Sequence, residues 1–157
     1  MTRQNRETLE ALADRAEKAT GSDRELDALI WCTLLGVKYK GHGKPYATYG
    51  GENPLTQVEF VEPPRRTRVV SDGRRIPHAK PCSSSLDAAM SLVPEGLAWT
   101  VGQNVHHRHW VASLNYLDED GAPQSMAGSN AARSPALALV AAALRARATL
   151  DPTGEKA

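Results

Sequence analysis

The middle of the 157-residue chain is cut into short pieces by glycine and proline, while helical patterns lie on both sides of it. The breakers within residues 38–81 are Gly41, Gly43, Gly50, Gly51, Pro54, Pro63, Pro64, Gly73 and Pro77. A long helix is excluded here, because proline lacks a backbone donor and glycine loses the most conformational freedom on folding. We expect an irregular, β-containing segment, with strand-like runs at Thr56–Val61 and Thr67–Val70 and a turn that joins the second run to Ile76.

Four amphipathic helices are predicted outside this segment, because apolar residues there recur at spacings of three and four. The first covers Glu7–Ala19. The second begins at the capping box Ser22–Glu25, in which the first and last side chains each accept from a free backbone amide. The third and fourth begin near Ser84 and Ser134, each a serine in an N-cap pattern, and Pro135 suits the first helical position because it needs no donor there.

Alternation of apolar and polar residues predicts a small antiparallel sheet between the last two helices. Two strands are expected from Leu97 to Val101 and from Trp110 to Tyr116. The turn Asp118–Gly121 is expected to lead into a third, short strand near Gln124–Ala127. Helices that are separate in sequence from an antiparallel meander predict an α+β fold, with three or more strands layered against about four helices in a sandwich-like arrangement.

Length and charge place limits on the class of protein. The chain carries 19 Lys+Arg and 18 Asp+Glu, and this net charge of +1 argues against binding to long nucleic acids. Residues 1–150 are expected to form one domain, followed by a disordered tail at 151–157. Cys32 and Cys82 have no spacing typical of a disulfide framework, and no apolar run reaches 18 residues. We therefore expect a cytoplasmic protein without a membrane partner.

The 38–81 segment holds the strongest candidate for a ligand site. Its basic and aromatic residues are Lys44, Tyr46, Tyr49, Arg65, Arg66, Arg68, Arg74 and Arg75. Arginine holds phosphate oxygens with two parallel hydrogen bonds, and tyrosine rings stack on bases. In a hairpin over Thr67–Ile76, Arg66 and Arg68 would share one face, and Arg74 or Arg75 would meet them from the return strand. The alternative is a solvated surface that neutralises the acidic helices.

The run His106–His109 is a second and weaker candidate. On a strand, His107 and His109 would point to the same face about 6.6–6.8 Å apart, close enough to share a metal ion. A third ligand would have to come from His42, His78 or the acidic turn. The alternative is a solvated and partly cationic entry to the strand. We predict no cofactor and no catalytic residue.

Two further groups of residues have structural explanations. Trp99 and Trp110 lie on alternating strands and are expected to pack in the core. The alanine-rich face of the last helix, which includes Ala136, Ala143 and Ala146, allows a close approach of another helix. This approach would serve internal packing or the contact of a homo-oligomer.

Three segments of the chain resemble the phage ABA-sandwich domain, a family of small phage and prophage proteins. They are Arg24–Ile30 continuing into Leu34–Lys38, Pro81–Val93, and Arg133–Leu144. In that family an acidic-leucine helix ends in a glycine-aromatic step, a tyrosine-serine loop opens a Leu-Asp-Ala-Ala helix, and an alanine-rich helix begins with Ser-Pro or Ala-Pro. Here Val37 replaces the aromatic residue and Cys82 the tyrosine.

The resemblance implies a phage origin and a fold, but no catalytic residue. Small phage proteins without a catalytic site often act by stoichiometric capture. We therefore expect a non-enzymatic binding protein of the anti-defence type that sequesters a small phosphorylated or nucleotide ligand. The alternatives are a protein that binds and blocks a host protein, and a metal-dependent enzyme that uses His107 and His109.

Overall fold

The computed structural model describes residues 3–35, 38–42, 46–50, 56–61, 66–71 and 74–150, with side chains for 6–34 and 79–150. These residues form, in chain order, α1 (Arg3–Lys18), α2 (Arg24–Leu35), β1 (Lys38–His42), β2 (Tyr46–Gly50), β3 (Thr56–Val61), β4 (Arg66–Ser71), β5 (Arg74–Ala79), α3 (Leu86–Met90), β6 (Ala98–Asn104), β7 (His109–Leu117), β8 (Pro123–Ala132) and α4 (Pro135–Thr149). The α+β class is confirmed, with four helices and two antiparallel sheets among the described residues.

The chain divides into two compact units. The first joins Met1–Asp23 with Pro81–Ala157, and the second is Arg24–Lys80. The single domain expected over 1–150 stays a prediction. The tail at 151–157 lies outside the described residues, as do Lys44 and Arg65.

Helix α4 is the centre of the first unit. It packs against α1, α3 and the three strands β6, β7 and β8. Leu137, Val140 and Leu144 are fully buried as a result. The alanine-rich face is at most 4% exposed, so within this chain it serves internal packing. A chain with 5% aromatic residues fills its core with aliphatic side chains and with alanines that allow helices to approach closely.

The sheet of the first unit has the strand order β6-β7-β8, and every pair is antiparallel. Ala112 and Leu114 are buried on the face toward α4. Their partners in β6 are Val101 and Trp99, which are half-buried on the same face. The alternation predicted for these two strands is therefore correct, and Trp99 packs at the border of the core.

Serine side chains fix the starts of the last two helices. The hydroxyl of Ser134 accepts from the Leu137 amide at 3.2 Å, and Pro135 occupies the first turn as predicted. The hydroxyl of Ser85 accepts from the Ala88 amide at 3.2 Å, so α3 begins one residue later than a cap at Ser84 would give. Each hydroxyl supplies an acceptor for an amide that has no partner within its helix.

In the second unit a regular sheet replaces the irregular segment expected at 38–81. The strands β1 to β5 pair in sequence order as an antiparallel meander. Most of the glycines and prolines fall between these strands in the sequence, and Pro77 coincides with a shift of register in β5. Breakers that exclude a helix are compatible with short antiparallel strands, which need turn residues at close intervals.

Neither Cys32 nor Cys82 forms a disulfide, and both are buried. Burial raises the pKa of the Cys32 thiol to about 12, which keeps it protonated and unreactive near neutral pH. The Cys82 thiol donates a weak hydrogen bond to the Ala88 carbonyl at 3.5 Å. Both residues act as small apolar side chains in this fold.

Candidate functional site

A groove of about 370 Å³ lies in the first unit, beside the turn between β6 and β7. Its walls come from the C-terminal end of α1, the β6–β7 turn and the C-terminal end of β8. The lining residues are Glu17, Lys18, His107, Arg108, His109, Ala131, Ala132 and Arg133. The volume is in the range of small-molecule sites, and basic side chains predominate in the lining.

The turn that forms one wall is held by an asparagine at the end of β6. The side-chain oxygen of Asn104 accepts from the amides of His106 at 3.1 Å and His107 at 3.2 Å. Such a side chain reproduces the hydrogen bonding of a backbone turn. This contact fixes the backbone that carries His107 and Arg108 into the groove.

Arg108 has a backbone conformation that is unusual for its residue type. Its φ is 51°, and among the described residues it is the one residue other than glycine with a positive φ. The left-handed conformation costs roughly 1–2 kcal/mol for a residue with a Cβ atom, and glycine would avoid this cost. A strained residue that also lines a groove is an indication of a functional site.

His107 and His109 lie side by side in the lining. Their ring centroids are 5.6 Å apart and the ring planes differ by 12°, so the imidazoles are stacked. No cluster of three or more His, Cys, Asp or Glu side chains suited to a metal ion occurs in the described part of the chain. The acidic turn at Asp118 forms the opposite hairpin of the sheet. The predicted pair is thus present, with ring faces turned toward each other.

The single carboxylate of the lining, Glu17, is ion-paired with Arg145, which also pairs with Asp14. Glu17 accepts from Arg145 at 2.6 and 3.0 Å and from the Asn130 amide at 2.9 Å. These contacts, the Arg145 hydrogen bonds first, lower the pKa of Glu17 even though partial burial acts in the opposite direction. Arg145 also donates to Asp14 and to the Gly128 carbonyl, each at 2.9 Å.

The groove is therefore an electropositive site. Three lining residues carry permanent positive charges, namely Lys18, Arg108 and Arg133. The negative charge of Glu17 is ion-paired with Arg145. Lys18 and Arg133 are exposed, so their charged groups are accessible to a ligand from solvent. This arrangement can bind an oxyanion through charge-assisted hydrogen bonds.

The register of the second unit locates most of the sequence-predicted ligand residues. Arg66 pairs with Val61 and Arg68 with Glu59, while Arg75 pairs with Val70. Alternation along β4 puts positions 66, 68 and 75 on one face of this sheet, together with position 46, which pairs with Val61. Positions 49 and 74 belong to the other face, because they pair with Val58 and Ser71.

The sequence did not indicate Lys18, Arg108 or Arg133 as site residues. Lys18 looked like an ordinary basic residue in the last turn of a helix, and Arg133 like the residue before an N-cap. A turn of four residues before the second strand was a usable signal for Arg108, since such turns favour glycine or asparagine. Nothing in the sequence links α1 to the end of β8.

Comparison of the chain with protein-family models, with curated proteins and with solved structures finds no match. The resemblance to the phage ABA-sandwich domain therefore stays a prediction. Among the described residues, no helix has the length and apolar character that crossing a bilayer requires.

Proposed function

We propose that this chain is a non-enzymatic binding protein that captures a small phosphorylated molecule, such as a nucleotide, in the basic groove of its first unit. The observation that carries the proposal is the lining itself. One cavity of about 370 Å³ is lined by three cationic side chains from different parts of the chain, Lys18, Arg108 and Arg133. The one carboxylate in its lining, that of Glu17, is ion-paired with Arg145. Phosphate oxygens are the common ligands that satisfy several cationic donors at once.

The conformation of Arg108 supports the same proposal. A sequence selected for stability alone would favour glycine at a φ of 51°. Retaining arginine there is explained when the guanidinium contributes to binding, because selection for function tolerates local strain at a site. Within the phage setting that the resemblance implies, capture would remove a nucleotide signal of host immunity.

The test is calorimetry with a panel of mono-, di- and cyclic nucleotides. The variant Lys18→Ala/Arg133→Ala should weaken binding about 10-fold or more, since hydrogen bonds to charged groups are worth roughly 1.5–3 kcal/mol each. The control Arg6→Ala/Lys80→Ala removes the same charge from exposed positions outside the groove and should bind as the wild type. Absence of binding across the panel would refute the proposal.

A second variant distinguishes the groove from the arginine-bearing face of the second unit. If Arg66→Ala/Arg68→Ala abolishes nucleotide binding while Lys18→Ala/Arg133→Ala does not, the captured ligand is bound by β4 and the groove assignment is wrong. A host protein recovered in stoichiometric amount, with no nucleotide binding at either surface, would instead favour the alternative of a protein that blocks a host partner.

A further inference from the structure

We infer that the groove binds its anion with the help of protonated His107 and His109, so that a multiply charged oxyanion is held tightly at acidic pH and released as the pH rises. This inference rests on the proposed function and adds the regulation of the same site. Its basis is the position of two stacked imidazoles, with ring centroids 5.6 Å apart, in a cavity whose permanent charges are already positive.

The charged side chains that line the groove beside the two imidazoles are mostly positive. They are Lys18, Arg108 and Arg133, with Glu17 as the one lining carboxylate. His106 lies in the same turn, and Arg145 binds both Glu17 and Asp14, while the other charged residues of α1 do not line the groove. The Glu17 carboxylate already accepts hydrogen bonds from Arg145 and from the Asn130 amide.

An anion in the groove places negative charge beside the two imidazoles. A divalent oxyanion beside His107 and His109 stabilises both imidazolium forms, and each protonated ring offers two N–H donors where the neutral ring offers one. Binding is then accompanied by proton uptake, and by linkage the affinity rises as the pH falls. Histidine is suited to this role because its ordinary pKa of about 6.5 lies close to physiological pH.

The ligand class follows from the number of donors. The cavity is lined by three permanent cations and by two imidazoles that can be protonated. Their combined positive charge is greater than a monoanion can neutralise. A ligand with at least two negative charges, such as a nucleotide with two phosphates or a doubly charged phosphate, matches this set better than a singly charged carboxylate.

The experiment needs probes whose own charge is constant, since phosphate monoesters titrate near pH 6. We would use sulfate and a cyclic dinucleotide, whose phosphodiesters remain ionised, and measure their affinity from pH 5.5 to pH 8. The wild type is expected to lose about 10-fold in affinity over this range, because one proton linked to binding changes affinity by up to tenfold per pH unit.

The variant His107→Gln/His109→Gln keeps polar side chains but cannot be protonated. It is expected to show a flat pH profile with the weak affinity that the wild type has at pH 8. His106→Gln is the matched control, because His106 lies in the same turn, is exposed and does not line the groove. This control should retain the wild-type profile. NMR titration of the imidazole protons gives a second readout, in which the anion should raise the pKa of both rings.

The outcomes separate the two proposals. Binding with equal affinity from pH 5.5 to pH 8, or a pH dependence that survives in the double glutamine variant, would overturn the role of the histidines and leave anion capture standing. Absence of binding of both probes at every pH would overturn this inference, whereas the proposed function falls only if the whole nucleotide panel also fails to bind.

Discussion

The two hairpin turns of the three-stranded sheet both reverse the chain direction, but they have different residues in the left-handed position. The turn between β7 and β8 is built from local turn chemistry. The Asp118 carboxylate accepts from the amides of Asp120 and Ala122 at 3.1 and 2.8 Å and from the Gln124 side chain at 2.9 Å. Gly121 takes the left-handed position, with φ of 77°. Every feature of this turn favours the folded state.

The turn between β6 and β7 satisfies only part of the same requirement. Asn104 accepts from two turn amides, as Asp118 does in the other turn. The left-handed position, however, is occupied by Arg108 and not by glycine. The β7–β8 turn is stabilised by its own side chains, whereas the β6–β7 turn contains a strained residue and borders the basic groove. The departure from favourable turn chemistry, together with the positive charge of the lining, distinguishes the candidate site from the β7–β8 turn.

The largest loss of stability is expected from Arg145→Met, which removes the ion pair between Arg145 and Glu17 beside the groove. Asp14 and the Gly128 carbonyl would lose the hydrogen bond from Arg145, and Glu17 would keep only the Asn130 amide, while the aliphatic packing is largely kept. Because these groups are partly exposed, we expect the free energy of unfolding to fall by about 2 kcal/mol in urea denaturation.

A matched control is Arg6→Met, which breaks an exposed ion pair with Glu10 and should cost less than about 0.5 kcal/mol. Equal losses in the two variants would show that the groove end of the sheet does not depend on Arg145.

The next largest effects are expected at the two left-handed positions, Arg108 and Gly121, where substitutions should change the free energy of unfolding in opposite directions. Gly121→Ala should lower the free energy of unfolding by about 1 kcal/mol, because alanine is strained at positive φ. Arg108→Gly should raise it by about 0.5–1 kcal/mol and should weaken nucleotide binding. Urea denaturation and calorimetry on the same preparations measure both quantities. If Arg108→Gly destabilised the protein as Gly121→Ala does, the comparison of the turns would fail.

The smallest effect is a pH dependence at the acidic turn. Hydrogen bonds from Gln124 and from the amides of Ala122 and Asp120 lower the pKa of Asp118. The carboxylate therefore stabilises the fold above the ordinary aspartate pKa of about 3.9, and this contribution is lost as the pH falls through the lower folded-state value. Asp118→Asn should melt at a slightly lower temperature than the wild type at pH 7.

The difference in melting temperature between wild type and Asp118→Asn should shrink as the pH falls below the ordinary aspartate pKa of about 3.9, because the carboxylate is progressively protonated. A difference that stayed constant from pH 7 to pH 2.5 would mean that shape, and not charge, explains the role of Asp118. The β6–β7 turn has Asn104 where the β7–β8 turn has Asp118. Because an amide does not titrate, the effect of substituting Asn104 on the melting temperature should not change with pH in this range.

Local sequence signals predicted the first unit well. Ser134-Pro135 marked the start of α4, and alternation identified β6 and β7 with the correct face toward the core. These signals worked because caps and strand alternation depend on residues that are neighbours in sequence. The β-sheet of the second unit was underestimated, since Gly and Pro counts report where strands are interrupted but not how many strands pair.

The sequence by itself determined the α+β class, the start of α4 at Ser134, the start of α3 to within one residue, and the strands β6 and β7 of the small sheet, whereas β8 is longer than the short strand expected at Gln124–Ala127. Only the tertiary structure decided that Lys18 and Arg133 line one groove with Arg108, and that Glu17 is ion-paired with Arg145. The physical reason is that caps and turns are local, whereas the groove is formed where the end of α1, the β6–β7 turn and the end of β8 meet. Its charge depends on contacts between residues far apart in the chain.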